Sequence, residues 1–238
     1  MKHISILTGA GISAESGVKT FRDHDGLWEG HDVMQVATPE GFEQNPELVL
    51  EFYNKRRQQL KNVRPNAAHK ALVDLEKHYQ VDIITQNVDD LHERAGSSRI
   101  THLHGELMKA RSVSDESLIY DWRDDLRLGN VNSENQQLRP HVVWFGEEVP
   151  MMEKAIDILK QTDMIIIVGT SMQVYPAAGL IDYAPKHTPI YFIDPSPSIT
   201  PSRHVQVFAE KATTGVEKVV KQLLDLSRFK TGSEVIQY

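Results

Sequence analysis

The sequence predicts an α/β fold, a Rossmann-like parallel sheet with helices on both faces plus a smaller inserted module. Three observations carry this. Strand-like apolar runs alternate with helix-like periodicities along the 238 residues. Residues 164–168 are apolar throughout and stop at Gly169, the pattern of a strand covered on both faces. Residues 4–8 form a short strand that runs into Gly9-Ala10-Gly11, a glycine turn opening a helix. Such a turn is expected to present bare backbone N–H groups, which suit a pyrophosphate.

After that turn, a hydride-transferring dinucleotide fold would need a second strand ending in an acid about 20 residues on. Residues 15–28 hold no apolar strand, which argues against an ordinary dehydrogenase. The loop is instead long and polar, with Phe21 beside Arg22, and its expected job is to cover a ligand. Asn45-Pro46-Glu47 reads as a cap, a first-turn proline and a first-turn acid, starting a helix that carries Leu48, Phe52, Tyr53, Arg56 and Leu60. Asn66 caps a second helix with Ala68, Ala71, Leu72 and Leu75 on one side. Residues 81–85, 100–103 and 142–145 read as strands, the last ended by Gly146. Helix signals at 151–161 and 176–184 flank the 164–168 strand, and a strand at 189–194 ends in Asp194. The last helix is expected near 215–227. Residues 108–139 are polar and lack a long apolar period, with Tyr120 and Trp122 as the large anchors.

Composition narrows the function. No stretch reaches 18 apolar residues, and the first strand begins almost at Met1, which leaves no room for a signal peptide. A net charge of −7 without a basic run argues against nucleic acid as a partner. The absence of Cys removes disulfides, thiol nucleophiles and thiolate metal sites, and fits a reducing cytoplasm. His102 and His104 share a strand face, but no acid or Cys ligand set accompanies them, so no metal site is expected.

Candidate chemistry gathers at strand ends, the edge where ligands bind in such sheets. Gln86-Asn87-Val88-Asp89 follows one strand. Asp89 could accept from a carboxamide and Asn87 could orient a water, or either could simply cap the next helix. His104-Gly105 ends another, where the imidazole could act as a base near neutral pH or merely bond a loop. Gly169-Thr170-Ser171 could hold ribose or phosphate, or form an ordinary turn. Asp194 could accept from ribose hydroxyls, or be a turn residue before Pro195.

Taken in order, Gly9-Ala10-Gly11-Ile12-Ser13, Thr20-Phe21-Arg22-Asp23, Thr85-Gln86-Asn87-Val88-Asp89, His104-Gly105, 140–147 (Pro-His-Val-Val-Trp-Phe-Gly-Glu) and Gly169-Thr170-Ser171 resemble the sirtuin (Sir2) family, nearest to its bacterial CobB-type members. The match is collinear over about 9–215. The resemblance implies NAD-dependent removal of acyl groups from protein lysines, with nicotinamide and O-acyl-ADP-ribose as products. It implies His104 as general base with Asn87 as its catalytic companion. It implies NAD contacts from Gly9, Ala10, Gly11, Ala14, Phe21, Arg22, Gln86, Asn87, Asp89, Gly169, Thr170, Ser171, Asp194 and Ala212. Val142, Val143, Trp144 and Phe145 would form the acyl-lysine channel. Tyr53 and Arg56, one helical turn apart, match the Tyr-x-x-Arg signature of the acidic-acyl subgroup, and small Ala37 would leave pocket space. Succinyl- and malonyl-lysine are then expected substrates beside acetyl-lysine.

One departure is clear. The family's small domain usually holds zinc with four Cys, whereas Ser112 stands where the first would be, so no zinc is expected. The expected organisation is a single catalytic domain, with a large part at approximately 1–30, 66–107 and 140–230. A small module spans approximately 31–65 and 108–139, and 231–238 form a tail. A monomer acting on acyl-lysine proteins, with no membrane partner, is expected. An ADP-ribosyltransferase or NAD glycohydrolase on the same scaffold is the alternative, and a non-enzymatic NAD sensor a third reading.

Overall fold

The structure, a computed structural model, describes residues 1–19, 27, 28, 30–173 and 175–231. The chain opens with β1 (His3–Thr8) and the one-turn α1 (Gly11–Ala14). The short hairpin of β2 (Leu27–Trp28) and β3 (His31–Asp32) leads to α2 (Val33–Val36), α3 (Pro39–Gln44) and α4 (Pro46–Asn62). Next come α5 (Ala67–Leu75), β4 (Gln80–Thr85), α6 (Leu91–Ala95) and β5 (Ile100–His102). Strands β6 (Gly105–Ser112), β7 (Ile119–Asp121) and β8 (Leu138–Val142) follow. The remainder is α7 (Met152–Lys160), β9 (Met164–Val168), a 3-10 helix (Ala177–Tyr183), β10 (Ile190–Ile193), β11 (Val205–Phe208) and α8 (Ala212–Thr231). No described helix is long and apolar enough to cross a membrane.

The main sheet has six parallel strands in the order β11-β10-β9-β1-β4-β5. Side chains alternate across it. Ile4, Ile6, Ile83 and Ile166 face α5 and α8, while Leu7, Ile84, Ile165 and Ile167 face α7 and the 3-10 helix. Both faces are therefore covered, which is why β9 carries no polar residue. Helix starts follow their caps: Thr38 Oγ1 accepts from Gly41 N, and Asn45 Oδ1 from Leu48 N with Pro46 behind it.

Beside this sheet, β7, β6 and β8 form a three-stranded antiparallel sheet. Its packing corrects the expectation about anchors. Leu126 is fully buried against Leu50, Ala110 and Leu138, whereas Tyr120 and Trp122 only flank that cluster. Where the resemblance would put a metal-binding Cys, Ser112 organises hydrogen bonds instead. Its Oγ donates to Gln136 Oε1 (2.6 Å) and accepts from Ser114 N and Asp115 N. Asn132 Nδ2 donates to the same Gln136 oxygen, and Asn132 Oδ1 accepts from Glu134 N and Gln136 N. Ser112→Ala leaves Ser114 N and Asp115 N without the hydroxyl acceptor and is expected to lower unfolding free energy by about 1–3 kcal/mol, read by denaturant titration.

Behind the first glycine turn lies a pair of buried histidines the sequence did not advertise. His69 and His92 meet edge to face at 5.0 Å between ring centroids. Asn66 links them to the turn, donating from Nδ2 to Ile12 O and Ser16 Oγ, while His92 Nε2 lies 3.1 Å from Thr8 Oγ1. Burial pulls His69 down to about 4, and burial, then His69, pulls His92 well below the ordinary imidazole value. Below pH 6.5 the unfolded chain takes up protons that the folded chain refuses. Stability is therefore full above pH 6.5 and falls as pH drops toward 4. His69 alone accounts for a loss on the order of 2 kcal/mol at pH 5. Calorimetric Tm values from pH 7.5 to 5 should show this slope, and His69→Gln should flatten it.

Candidate active site

Strands β1 and β9 are neighbours whose chains leave in opposite directions, β1 toward β4 and β9 toward β10, so the crevice of this sheet opens between them. The two glycine turns meet there. Gly9 N donates to Val168 O (3.0 Å) and Gly11 N to Gly169 O (2.8 Å). The amides of these two glycines, expected to be bare, are thus taken up by the partner strand's end. The glycines act by close approach instead. A Cβ on Gly11 would lie 2.5 Å from Gly169 Cα, and one on Gly169, where φ is +63°, would lie 2.4 Å from Ile12 N. The result is a floor without side chains under a cleft of about 300 Å³.

One side of the cleft is the segment after β4. Asn87 N donates to Thr85 Oγ1, and Asn87 Nδ2 donates to Gly9 O at 3.1 Å, joining this segment to the first glycine turn. Gln86 Nε2 donates to Thr170 Oγ1 at 3.2 Å, joining it to the second. Asp89 Oδ2 accepts from Ser13 Oγ (2.9 Å), and its Oδ1 takes Leu91 N from one residue ahead of Asp90, the cap of α6, so neither Asn87 nor Asp89 is itself the cap. Burial pushes the Asp89 carboxyl up, against the pull of both bonds.

His104 sits where the chain passes from one sheet to the other. Leu103 N still pairs with Thr85 O, whereas Gly105 already pairs with Val142 in the antiparallel sheet. His104 Nδ1 lies 3.0 Å from Gln86 O. A carbonyl only accepts, so Nδ1 carries the proton and Nε2 is the basic nitrogen. Burial lowers the His104 pKa, partly offset by the Gln86 carbonyl, which keeps the ring neutral at pH 7. Two acids that the sequence reading did not group with His102 stand beside it in space. Glu93 on α6 and Glu106 on β6 bring their carboxylates within 4.8 Å of the ring and of each other. The expectation that no acid ligand set accompanies these histidines is corrected for His102.

The opposite wall starts at residues 142–145, and here too the structure corrects the reading. The strand runs Leu138–Val142 and stops, and the next three residues bridge elements as a loop. Val143 N donates to His104 O and Phe145 N to Ala37 O, both at 2.9 Å. Trp144 is held from several sides: Arg139 Cζ stacks 3.2 Å from a ring centroid, Phe42 packs at 5.4 Å, and the indole N–H donates to Tyr53 Oη at 3.0 Å. Glu147 grips Arg139 through both carboxylate oxygens and also accepts from Arg111 Nη2 and Trp144 N. Burial pushes Tyr53 up to about 12, although Arg56 and Trp144 pull the other way, so the phenol keeps its proton.

Gly9, Ala10, Gly11, Ala37, Tyr53, Arg56, Gln86, Asn87, Asp89, His104, Val142, Val143, Trp144, Phe145, Gly169, Thr170 and Ser171 all line this one cleft. Ala14, Asp194 and Ala212 do not line it, and Asp194 Oδ1 accepts from Ser196 N as a turn residue would. Phe21, Arg22 and residues 232–238 lie outside the described residues. Sequence reasoning missed Lys19, Gln59, Leu107 and Glu147 among the lining, and Ser13 and Arg139 behind it. Position 59 follows Arg56 by one helical turn, and Ser13 and Glu147 end two of the motifs quoted above, so all three had a usable signal; Lys19, Leu107 and Arg139 have no local pattern.

Comparisons with known proteins agree with this arrangement. Residues 9–176 match the model of the Sir2 family. A Helicobacter pylori protein named NAD-dependent protein deacylase is 57% identical over 228 residues, spanning 95% of this chain and 100% of that protein. A Bacteroides thetaiotaomicron protein of the same name is 50% identical over 231 residues, spanning 94% and 98%. The crystal structure of a Sir2 homolog–NAD complex superposes with a TM-score of 0.85 at 36% identity, over 95% of this chain and 91% of that one.

Gly169→Ala is expected to force the two turns apart, because the added carbon meets backbone that cannot swing away. The expected loss is about 3 kcal/mol or more in denaturant unfolding.

Proposed function

The chain belongs to the Sir2 family, and from that premise we propose that this NAD-dependent protein deacylase removes succinyl and malonyl groups, as well as acetyl, from protein lysines. The observation that carries the acidic-acyl reading is that Tyr53 and Arg56 line the same cleft as His104 and the glycine floor. A guanidinium and a neutral phenol at one end of an acyl channel suit a terminal carboxylate, which accepts from both. Lys19 lines the cleft as well and adds positive charge.

NAD fits the floor described above, where Gly9, Gly11 and Gly169 carry no side chain and Thr170, Ser171, Gln86 and Asn87 offer hydroxyls and amides. It supplies a nicotinamide–ribose bond that breaks and a ribose that receives the acyl group. Overall, acyl-lysine, NAD and water become lysine, nicotinamide and O-acyl-ADP-ribose. The proposed role of His104 is to take a proton from a ribose hydroxyl through Nε2, the nitrogen left basic by the Gln86 carbonyl. Asn87 and Asp89 orient the nicotinamide side, with Ser13 holding Asp89 in place. Val143 and Phe145, whose amides bond His104 O and Ala37 O, with Trp144 between them, form a wall fixed at both ends. Such a wall keeps water from the reacting carbon and lets an extended peptide lie alongside. In this reading the chain is one catalytic domain, with residues approximately 31–65 and 108–139 as its small module.

The test compares initial rates on acetylated, malonylated and succinylated versions of one peptide. Arg56→Met should cut desuccinylation by about 100-fold or more and deacetylation by less than about threefold, since only the former loses a buried charge-paired contact. Equal losses would reject the acidic-acyl reading. His104→Ala should abolish turnover on all three, and nicotinamide release without peptide would favour the glycohydrolase alternative.

A further inference from the structure

His102 holds the carbonyl next to the one His104 holds. Its Nδ1 lies 2.9 Å from Asn87 O and its Nε2 lies 2.8 Å from Glu93 Oε1. A carbonyl can only accept, and so can a carboxylate. A ring between two acceptors carries both protons. His102 is then an imidazolium, only 8% exposed, beside a neutral His104 two residues on. The pair clasps two consecutive carbonyls of the segment that bonds both glycine turns.

We propose that His102 is a positioning residue for deacylation, whose charged ring holds Asn87 in register and whose deprotonation closes the activity window on the alkaline side. This rests on the reading of His104 and Asn87 given above. Neutral His102 must lose one N–H, and the bare nitrogen then faces either the Asn87 carbonyl or the Glu93 carboxylate. The remaining proton stays on Nε2, toward the charged Glu93 carboxylate, so the Asn87 contact is the one that turns repulsive. The Asn87 carbonyl is released, and with it the Nδ2 bond to Gly9 O.

The surroundings support the charged form. Burial works against it, but Glu93, Asn87 O and Glu106 more than offset burial and hold the pKa above the ordinary imidazole value. Glu93, although burial would raise it, is held below the ordinary carboxyl value chiefly by His102. Glu106 is itself paired with Lys109 at 2.8 Å, so Glu93 is the dominant counter-charge. Asp89 and His92 also face the ring, the latter buried and neutral. Across the adjoining cleft stand Asp90 and Arg94, paired with each other, and Lys61, Asp121 and Arg123.

Two measurements test this. In long-range 1H–15N spectra of the wild-type protein at pH 7, His102 should show both ring nitrogens protonated and His104 only Nδ1. In pH profiles of kcat/KM for NAD, the wild type should lose activity on the alkaline side. Glu93→Gln, which keeps an acceptor but removes the charge, should move that limb to lower pH. His102→Asn should abolish the limb and lower kcat/KM for NAD by about tenfold, the worth of one charge-assisted hydrogen bond. The acid limb, set by His104, and KM for the peptide should stay put in both variants. A singly protonated His102 at pH 7, or an alkaline limb unmoved in Glu93→Gln, would overturn the proposal. Persistent turnover in His104→Ala would instead sink the reading on which it rests, and the spectra would still report on His102.

Discussion

The close contact between two glycine turns, Gly9–Gly11 after β1 and Gly169 after β9, sets the terms for the rest of the molecule. These strands are where the parallel sheet divides its connections, and a crevice forms there only if the turns lie flat on one another. Gly11 N and Gly169 O do so at 2.8 Å, with no room for a Cβ on either side. Everything that lines the cleft is referenced to that floor. Asn87 reaches it through Gly9 O, and Gln86 through Thr170 Oγ1. His104 and His102 in turn hold the carbonyls of Gln86 and Asn87.

The second wall is built from a different kind of interaction. Trp144 lies between the Arg139 guanidinium and Phe42, and a single carboxylate, Glu147, fixes Arg139, Arg111 and the Trp144 amide together. Strands β6 and β8, which supply those two arginines, belong to the antiparallel sheet. Its own order comes from Leu126 and from the Ser112–Asn132–Gln136 hydrogen bonds rather than from a metal held by thiolates. Gly105 lets β6 leave β5 directly at His104, so the imidazole stands at the seam and answers to both sheets. A chain with no cysteine can therefore order the small sheet by polar contacts among that sheet's own residues.

Much of this was legible in the residues themselves. The unbroken apolar β9, the alternation of strand and helix signals, and the caps at Asn45 and Asn66 all follow from local rules. Tyr53 and Arg56 share a helix face because helical geometry demands it. The reading failed where function departed from local pattern. Residues 142–145 look like a strand by their apolar run, but only Val142 pairs as one; the next three use their amides and rings to tie β5, α2 and α4 together. Bare amides were expected in the first glycine turn because the motif is read without its neighbour, and β9 supplies the acceptors for Gly9 and Gly11.

By itself the sequence determined the layers of the sheet, the strand ends that carry chemistry and the places where no side chain can stand. These depend on the period of apolar residues and on backbone sterics, which act over a few neighbouring positions. Tertiary structure alone decided the protonation of the two histidines. Both are the same residue on the same strand end, yet one faces a carbonyl and the other a carbonyl and a carboxylate delivered by α6. A proton's free energy depends on which charges and dipoles stand within a few ångströms, and those groups come from elements far apart along the chain.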